Sequence, residues 1–349
     1  MARVVVAMSG GVDSSLAAAL MVEAGHDVEG VTMRLHAPGS GAGKGTYDAI
    51  RSADRVAHLL GIPHQTLDLH ELFSEHVVDP FCAAYAKGIT PNPCVACNEH
   101  IKFGALLAWA RERSAGSLAT GHYARIRTGD DGLPWLERGA DNAKDQSYFL
   151  YRLDTSMLAG AVFPLGALTK RAVRSTAGLL GLPVADRRES QEACFVTGGG
   201  REELLAAEHP SALRSGPIVN LQGRVLGTHH GIAHYTVGQR RGLGIPGRQA
   251  TYVVAIHAAE REIVVGTAAD LERRRVLATD VVWRGAPVEP TVEVQVRHKG
   301  KAQRARAFLL EGRLAIEFDE PVIAAAPGQA LVCYRGNVVL GGGTIVEER

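Results

Sequence analysis

A short apolar run, Val4 to Met8, leads directly into Ser9-Gly10-Gly11-Val12-Asp13-Ser14-Ser15, and a helix-forming stretch over Leu16 to Ala24 closes on Gly25. This strand–loop–helix order at the start of the chain points to a parallel α/β sheet with a ligand loop at a strand's carboxyl end. Such a loop offers unpaired backbone N–H groups and the positive end of a helix dipole to an anion. Gly10 and Gly11 let the backbone close around a phosphate, and Ser9, Ser14 and Ser15 add hydroxyl donors. Asp13 disfavours a bare phosphate, so its sensible role is to hold a bridging Mg²⁺. The loop has neither the GK[ST] ending of a Walker A loop nor the G-x-G-x-x-G spacing. The bland alternative is a glycine turn whose Ser and Asp cap a helix.

The rest of the first half repeats the alternation. Strands are expected at Val28 to Leu35, His64 to His70 and Ser117 to Ile126. Helices are expected at Ala49 to Leu60, Leu72 to Ala86 and Ile101 to Arg113. The expected fold class is an N-terminal α/β domain with a doubly wound parallel sheet. After about Gly200 helical periodicity fades into short alternating runs: PIVNLQGRVLG, HHGIAHYTVG and TYVVAIHAAEREIVVG. These predict a small central domain of antiparallel hairpins. From Arg275, VLATDVVW, TVEVQVRH, QRARAFLL, LAIEFD and QALVCYR predict a C-terminal antiparallel β-barrel. The expected divisions are residues 1–205, 206–272 and 273–349.

Composition narrows the function classes. Hydrophobic content of 46% and charge of 21% exclude intrinsic disorder. No run of 18 apolar residues exists, so no membrane span or signal peptide is expected, and the chain is expected in the cytoplasm as a monomer. A net charge of +1 argues against indiscriminate coating of nucleic acid. Yet residues 271–306 hold nine Lys/Arg against four Asp/Glu, with Arg297, His298, Lys299, Lys301, Arg304 and Arg306 around one expected hairpin. Such a cluster is either a solvated face or a backbone-binding face for RNA. Arg240 and Arg241 are further candidate phosphate partners. With aromatics at 5%, an extended base-stacking platform is not expected.

Five cysteines in 349 residues make no disulfide framework. Cys82 (DPFCAAY) and Cys333 (ALVCYR) lie in apolar contexts and are expected in cores. Cys94 and Cys97 form a C-x-x-C, which read alone is half a zinc site, a redox pair, cluster ligands or two idle thiols. No second C-x-x-C supports structural zinc. Cys97 is expected at a helix start, where the dipole lowers a thiol pKa.

The loop resembles the PP-loop of the ATP pyrophosphatase superfamily, whose members adenylate a carbonyl oxygen and release pyrophosphate. PNPxxxCNxxIKF, GHYAR, KDQSYFLY, ACF, HxGxxxYTxGQRxGLGI, PGQ and LGGG follow in order, from residue 3 to about 346. Together they resemble the bacterial tRNA-specific 2-thiouridylase family, which sulfurates the wobble uridine of the Lys, Glu and Gln type of tRNA. The resemblance implies ATP and Mg²⁺ as cofactors. It places Ala7, Met8, Ser9, Gly10, Gly11, Val12, Asp13, Ser14, Met33 and Gly121 around the nucleotide, with Asp13 toward the metal. It makes Cys194 the persulfide carrier and Cys97 the nucleophile or resolving thiol, 97 residues away in sequence. It puts Asn92, Pro93, Cys94, His122, Lys144, Asp145, Gln146, Arg297, His298 and Gln329 against tRNA, with Asp145 and Gln146 reading base edges.

One position departs from the family pattern. The family loop reads NPD, its Asp a proposed general acid/base, and here that position is Cys94. Either proton transfer passes to water or another group, or Cys94, Cys97 and Cys194 hold an iron–sulfur cluster with one open iron. The implied partners are tRNA and a sulfur donor such as a cysteine desulfurase or a sulfur-relay protein. Two other classes remain: a PP-loop ligase acting on a small molecule, and a non-catalytic nucleotide- or RNA-binding protein. The first predicts neither the distant cysteine pair nor the barrel. Asp13 and Cys194 speak against the second.

Overall fold

The computed structural model describes residues 2–37, 43–185, 194–196, 200–246, 250–284, 291–323 and 325–347. Two compact units divide the chain. The first comprises Met1–Val77, Cys94–Gly198 and Asn337–Val339; the second comprises Val78–Pro93, Gly199–Gly336 and Leu340–Arg349.

The first unit is built on β1 (Arg3–Ala7), β2 (Asp27–Arg34), β3 (His64–Asp68) and β4 (Ser117–Ala119). A hairpin follows, β5 (Ala124–Thr128) and β6 (Pro134–Arg138), and then the short β7 (Ala161–Val162). The main sheet runs β3-β2-β1-β4-β7, and its pairings are parallel. Strand order reverses beside β1, as a doubly wound sheet requires, and ligands of such sheets bind at the carboxyl ends of the strands there. Val4, Val5 and Val6 are at most 2% exposed because helices cover both faces of a parallel sheet. Helix α1 (Val12–Glu23) presses Leu16, Ala17 and Ala18 into this core, and α2 (Gly43–Leu60) adds Ala53, Val56 and Ala57. A helical run from Pro93 to Glu112 passes through a π-helical stretch, Cys97–Leu106.

The single strand expected over Ser117 to Ile126 is two strands in different pairings. β4 ends at Ala119, and β5 instead pairs antiparallel with β6, from Ala124↔Arg138 to Thr128↔Pro134. Between them the backbone leaves the ladder and finds other partners. The Thr120 amide donates to the Val162 carbonyl, and the Tyr123 amide donates to Gln146 Oε1. Period-two patterning runs across the break, so periodicity alone does not mark it.

In the second unit, β8 (Gly216–Asn220), β9 (Val225–His229), β10 (Tyr252–His257) and β11 (Glu262–Gly266) form a sheet in the order β10-β11-β8-β9. It is mixed rather than wholly antiparallel, since β8 and β11 run parallel with Ile263 beside Ile218. The alternating run HHGIAHYTVG also departs from expectation, holding a 3₁₀ turn at Ile232–His234.

The C-terminal strands are β12 (Glu272–Trp283), β13 (Val292–Gln295), β14 (Gln303–Leu310), β15 (Arg313–Ile323), β16 (Ala330–Arg335) and β17 (Val338–Val346). Their order is β12-β15-β14-β13-β16-β17, and β12 pairs antiparallel with β17 to close a barrel. Closure removes the edge strands on which other chains could pair. Cys82 and Cys333 are buried, as their apolar contexts predict.

Candidate active site

The phosphate loop joins β1 to α1. Gly10 has φ +70°, and a Cβ there would lie 2.4 Å from the Ala49 carbonyl oxygen, so only glycine fits. Helix α1 begins at Val12 with Gly11 as its cap and no side-chain cap. Its first amides are therefore not taken by a capping side chain, the arrangement an anion needs. Ser14 ties the loop together: its Oγ accepts from the Ser9 amide at 3.1 Å and donates to the Gly11 carbonyl at 3.2 Å. Met8 and Val12 bury their side chains in the core, so their reach toward a ligand is through the main chain. Gly121 backs the loop, since a Cβ there would sit 2.8 Å from Asp13 C and Ser14 N. Met33 lies near the end of β2, beside Leu67 of β3.

Asp13 has a partner that motif reading did not find. Lys170 Nζ lies 2.7 Å from both Asp13 carboxylate oxygens, and the Tyr123 hydroxyl donates to Oδ1 at 2.7 Å. Thr169 caps the helix on which Lys170 stands, accepting from the Ala172 amide, and so sets the lysine at that helix's first position. A carboxylate that holds one cation through both oxygens fits the part of a Mg²⁺ ligand shared with nucleotide phosphates.

The thiols lie on the same unit. Cys97 is buried, whereas Cys94 and Cys194 keep surface open to solvent, and all three are free. Burial pushes the Cys97 thiol up, with Lys102 acting against it and Cys94 adding to it. The lowering expected from a helix dipole is not realised, because the helical run begins at Pro93 and Cys97 sits past its first residues in a buried setting. Burial also raises Cys94, again opposed by Lys102. Cys194 is pushed up to about 11, first by burial, then by Cys97, with Lys102 opposing and Cys94 adding. Cys97 thus acts on a cysteine 97 residues away in sequence. Among the described residues no three His, Cys, Asp or Glu side chains converge on a metal position. The three sulfurs therefore form no single-ion site among the described residues.

The Cys194 main chain is held from the segment just after β2. His36 donates to its carbonyl, and His36, Phe73 and Phe195 make successive edge-on ring contacts at 6.1 and 5.6 Å. Lys102, within the IKF motif, is held by Asn98 Oδ1 at 2.9 Å and lies 3.4 Å from His122 Nε2. Asn98 donates in turn to the Phe149 carbonyl at 3.0 Å. Burial, then Lys102, keep the His122 pKa well below 6.5, so the ring is neutral. With Nε2 facing an ammonium, the proton is assigned to Nδ1, which lies 2.7 Å from Thr120 Oγ1.

Several expected RNA-facing residues prove to have internal duties. The Asp145 carboxylate is buried and accepts from Arg138, the Gly139 and Ser147 amides and the Ser147 hydroxyl. It shapes its own loop and has no acceptor left over to read a base edge. Gln146 Oε1 accepts from the Tyr123 amide and so helps to fix the loop before β5. Lys144 donates its amide to the Asp141 carbonyl. Gln329 Nε2 donates to the Thr90 and Pro91 carbonyls at 2.9 and 3.3 Å, fixing the loop that leads to Asn92 and Pro93. In the barrel, buried Gln295 donates to the Arg297 and His298 carbonyls and pins the turn that presents them. Arg297, Lys299, Lys301 and Arg304 are exposed, and Arg306 pairs with Glu317 at 3.0 Å. Arg240 and Arg241 are exposed in the central segment.

Comparison with known proteins covers nearly the whole chain. Residues 2–198 match the family model described as tRNA methyl transferase HUP domain. Residues 202–267 match the tRNA methyl transferase PRC-barrel domain, and residues 273–345 the aminomethyltransferase beta-barrel domain. A tRNA-specific 2-thiouridylase MnmA of Chloroflexus aurantiacus is 50% identical over 353 residues, covering 99% of this chain and 98% of that protein. The protein of that name from Moorella thermoacetica is 45% identical, covering 97% and 98%. That from Rhodospirillum centenum is 46% identical, covering 99% and 91%. No helix among the described residues is long and apolar enough to cross a membrane.

Proposed function

Because this chain belongs to the tRNA-specific 2-thiouridylase family, we propose that it replaces the 2-carbonyl oxygen of the wobble uridine in tRNA by sulfur, using ATP. The uracil carbonyl is a poor electrophile because its oxygen leaves badly. Attack of that oxygen on the α-phosphorus of ATP converts it into an AMP leaving group and expels pyrophosphate. The uncapped amides of α1 and the Lys170 ammonium receive the charge that moves onto the phosphates. Asp13 would hold Mg²⁺, which when bound draws charge from the departing pyrophosphate.

Sulfur then arrives as a persulfide on Cys194, loaded by a cysteine desulfurase or a relay protein. Its terminal sulfur attacks the activated carbon and AMP leaves, joining Cys194 to the base through two sulfurs. The Cys97 thiolate attacks the inner sulfur of Cys194. The S–S bond breaks, the thiocarbonyl stays on the uridine, and a Cys97–Cys194 disulfide forms. An external thiol reductant returns two electrons and resets the enzyme. The observation that carries this reading is that Cys97, Cys94 and Cys194 belong to the phosphate-loop unit and that Cys97 acts on the Cys194 thiol. The central segment and the barrel supply basic surface for tRNA, divided near residues 205 and 272. Lys144 and the Gln146 amide nitrogen take the base contacts that Asp145 does not make.

The test is incubation with ATP, Mg²⁺, a sulfide or desulfurase sulfur source and unmodified tRNA for Lys, Glu or Gln. Retarded migration in a mercury-containing gel reports thiolation. No shift with any of the three tRNAs would overturn the proposal.

A further inference from the structure

Several half-buried cations of the first unit have a carboxylate partner. Arg152 pairs with Glu99, Arg138 with Asp145 and Lys170 with Asp13. No carboxylate pairs with Lys102 among the described residues. Its ammonium rests instead on the neutral Asn98 amide oxygen at 2.9 Å and near the neutral His122 ring at 3.4 Å. Asn98 is itself 2% exposed and anchored on the Phe149 carbonyl, so the lysine is aimed rather than free to swing. A cation fixed without a counterion in partly desolvated surroundings is disposed to meet an anion formed during the reaction. Cys97 lies five residues before Lys102 in the π-helical stretch Cys97–Leu106, whose i→i+5 repeat puts the two on one face, and the thiols of Cys94, Cys97 and Cys194 all feel its charge.

We propose that Lys102 is the counter-charge of the sulfur-transfer thiols. Its single ammonium stabilises one thiolate at a time, first at Cys194 during loading and then at Cys97 during release. This rests on the sulfur-transfer reading above and adds a residue to it. Burial raises all three thiols, and in each case Lys102 acts in the opposite direction. The thiols raise one another: Cys94 acts on Cys97, and both act on Cys194. One positive charge among mutually repelling sites favours a single thiolate. Asn98 and His122 are positioning residues, holding the ammonium without neutralising it.

The test reads thiol reactivity and does not depend on turnover. Wild-type, Lys102→Gln and Lys102→Arg proteins are treated with iodoacetamide at pH 8, and labelling of each cysteine is followed by peptide mass spectrometry. Expected is an approximately tenfold slower labelling of Cys194 in Lys102→Gln, corresponding to one unit of thiol pKa. Lys102→Arg, which keeps the charge, restores most of the rate. The urea midpoint and far-UV circular dichroism report folding of the first unit, and Cys82 and Cys333, buried in the second, report folding there by staying protected in all three proteins. Equal Cys194 rates in wild type and Lys102→Gln, with both buried cysteines protected, would overturn the proposal. If Lys102→Gln exposes them, Asn98→Ala, which releases the ammonium from its anchor, is compared with wild type instead: slower Cys194 labelling supports the proposal and equal rates overturn it. Release of AMP and pyrophosphate with tRNA and ATP separates the two readings. A chain that slows labelling in Lys102→Gln yet never thiolates tRNA loses the proposed function and keeps the counter-charge.

Discussion

Lys170 and Asp13 are 157 residues apart in the chain, and the lysine ammonium lies 2.7 Å from each oxygen of the aspartate. The pair joins the first turn of α1 to the first residue of a later helix, so a cation is already aimed at the phosphate loop. Its side chains are 12% and 31% exposed, a setting in which an ion pair adds about 1 kcal/mol or less to stability. Its value lies in chemistry. Lys170→Met should lower pyrophosphate release with ATP and tRNA by roughly 10²-fold while the urea midpoint moves little. Undiminished release would remove Lys170 from adenylation.

Gly10 and Gly25 both have positive φ, +70° and +79°, but only Gly10 has a neighbour in the way. Gly25→Ala should cost about 1 kcal/mol from backbone strain alone. Gly10→Ala adds the clash with the Ala49 carbonyl and should cost roughly 2–4 kcal/mol and abolish ATP binding. Equal urea midpoints for the two variants would show that Ala49 yields freely.

On the barrel, Arg304→Glu should weaken every cognate tRNA to a similar extent and flatten the slope of log affinity against log salt by about one phosphate contact. Arg306→Glu should do less, because Glu317 already holds that guanidinium at 3.0 Å. Filter binding across a salt series measures both. Unchanged slopes would leave this hairpin a solvated face.

Four histidines have pKa values lowered chiefly by burial: His36, His64, His122 and His229. A buried neutral imidazole is protonated first in the unfolded chain. Its contribution is complete above about pH 6.5 and is lost as pH falls toward the folded value. The melting temperature should therefore drop between pH 7.5 and pH 5.5. His229→Gln, which removes a ring held by the Arg261 carbonyl and the Gly231 amide, should reduce that drop. A melting temperature indifferent to pH over this range would contradict the burial of these rings.

The parallel sheet was legible because Val4 to Met8 is apolar on both faces and glycines punctuate the chain beyond it. The barrel strands were legible because period two survives in them; Gln303–Leu310 appears as read. What failed had a common cause. The break after Ala119 depends on where Gln146 and Val162 place their acceptors, and the β8–β11 pairing on which strands meet. Neither is written in local pattern. The same holds for the site: Ser9 to Ser14 carries its chemistry in its own spacing, whereas Lys170, Tyr123 and His36 acquire theirs only by folding. Lys102 lay in view inside IKF, but nothing in the motif shows that Asn98 and His122 hold its ammonium. Cys97 was misjudged because a cysteine's place relative to a helix end, and its burial, require the boundary to be known.

The four residues between β4 and β5 serve two tasks at once. Gly121 backs the phosphate loop and Tyr123 holds Asp13, while Thr120 and His122 set the ring that faces Lys102. On the proposed mechanism, activation and sulfur delivery share one stretch of main chain scarcely longer than a turn. Substitutions there should rarely harm one half-reaction in isolation. A drift that improved the fit to ATP would also retune the sulfur side. Such a chain is hard to optimise piecemeal, and variants selected for faster adenylation should carry their compensating changes among Thr120, His122 and Lys102.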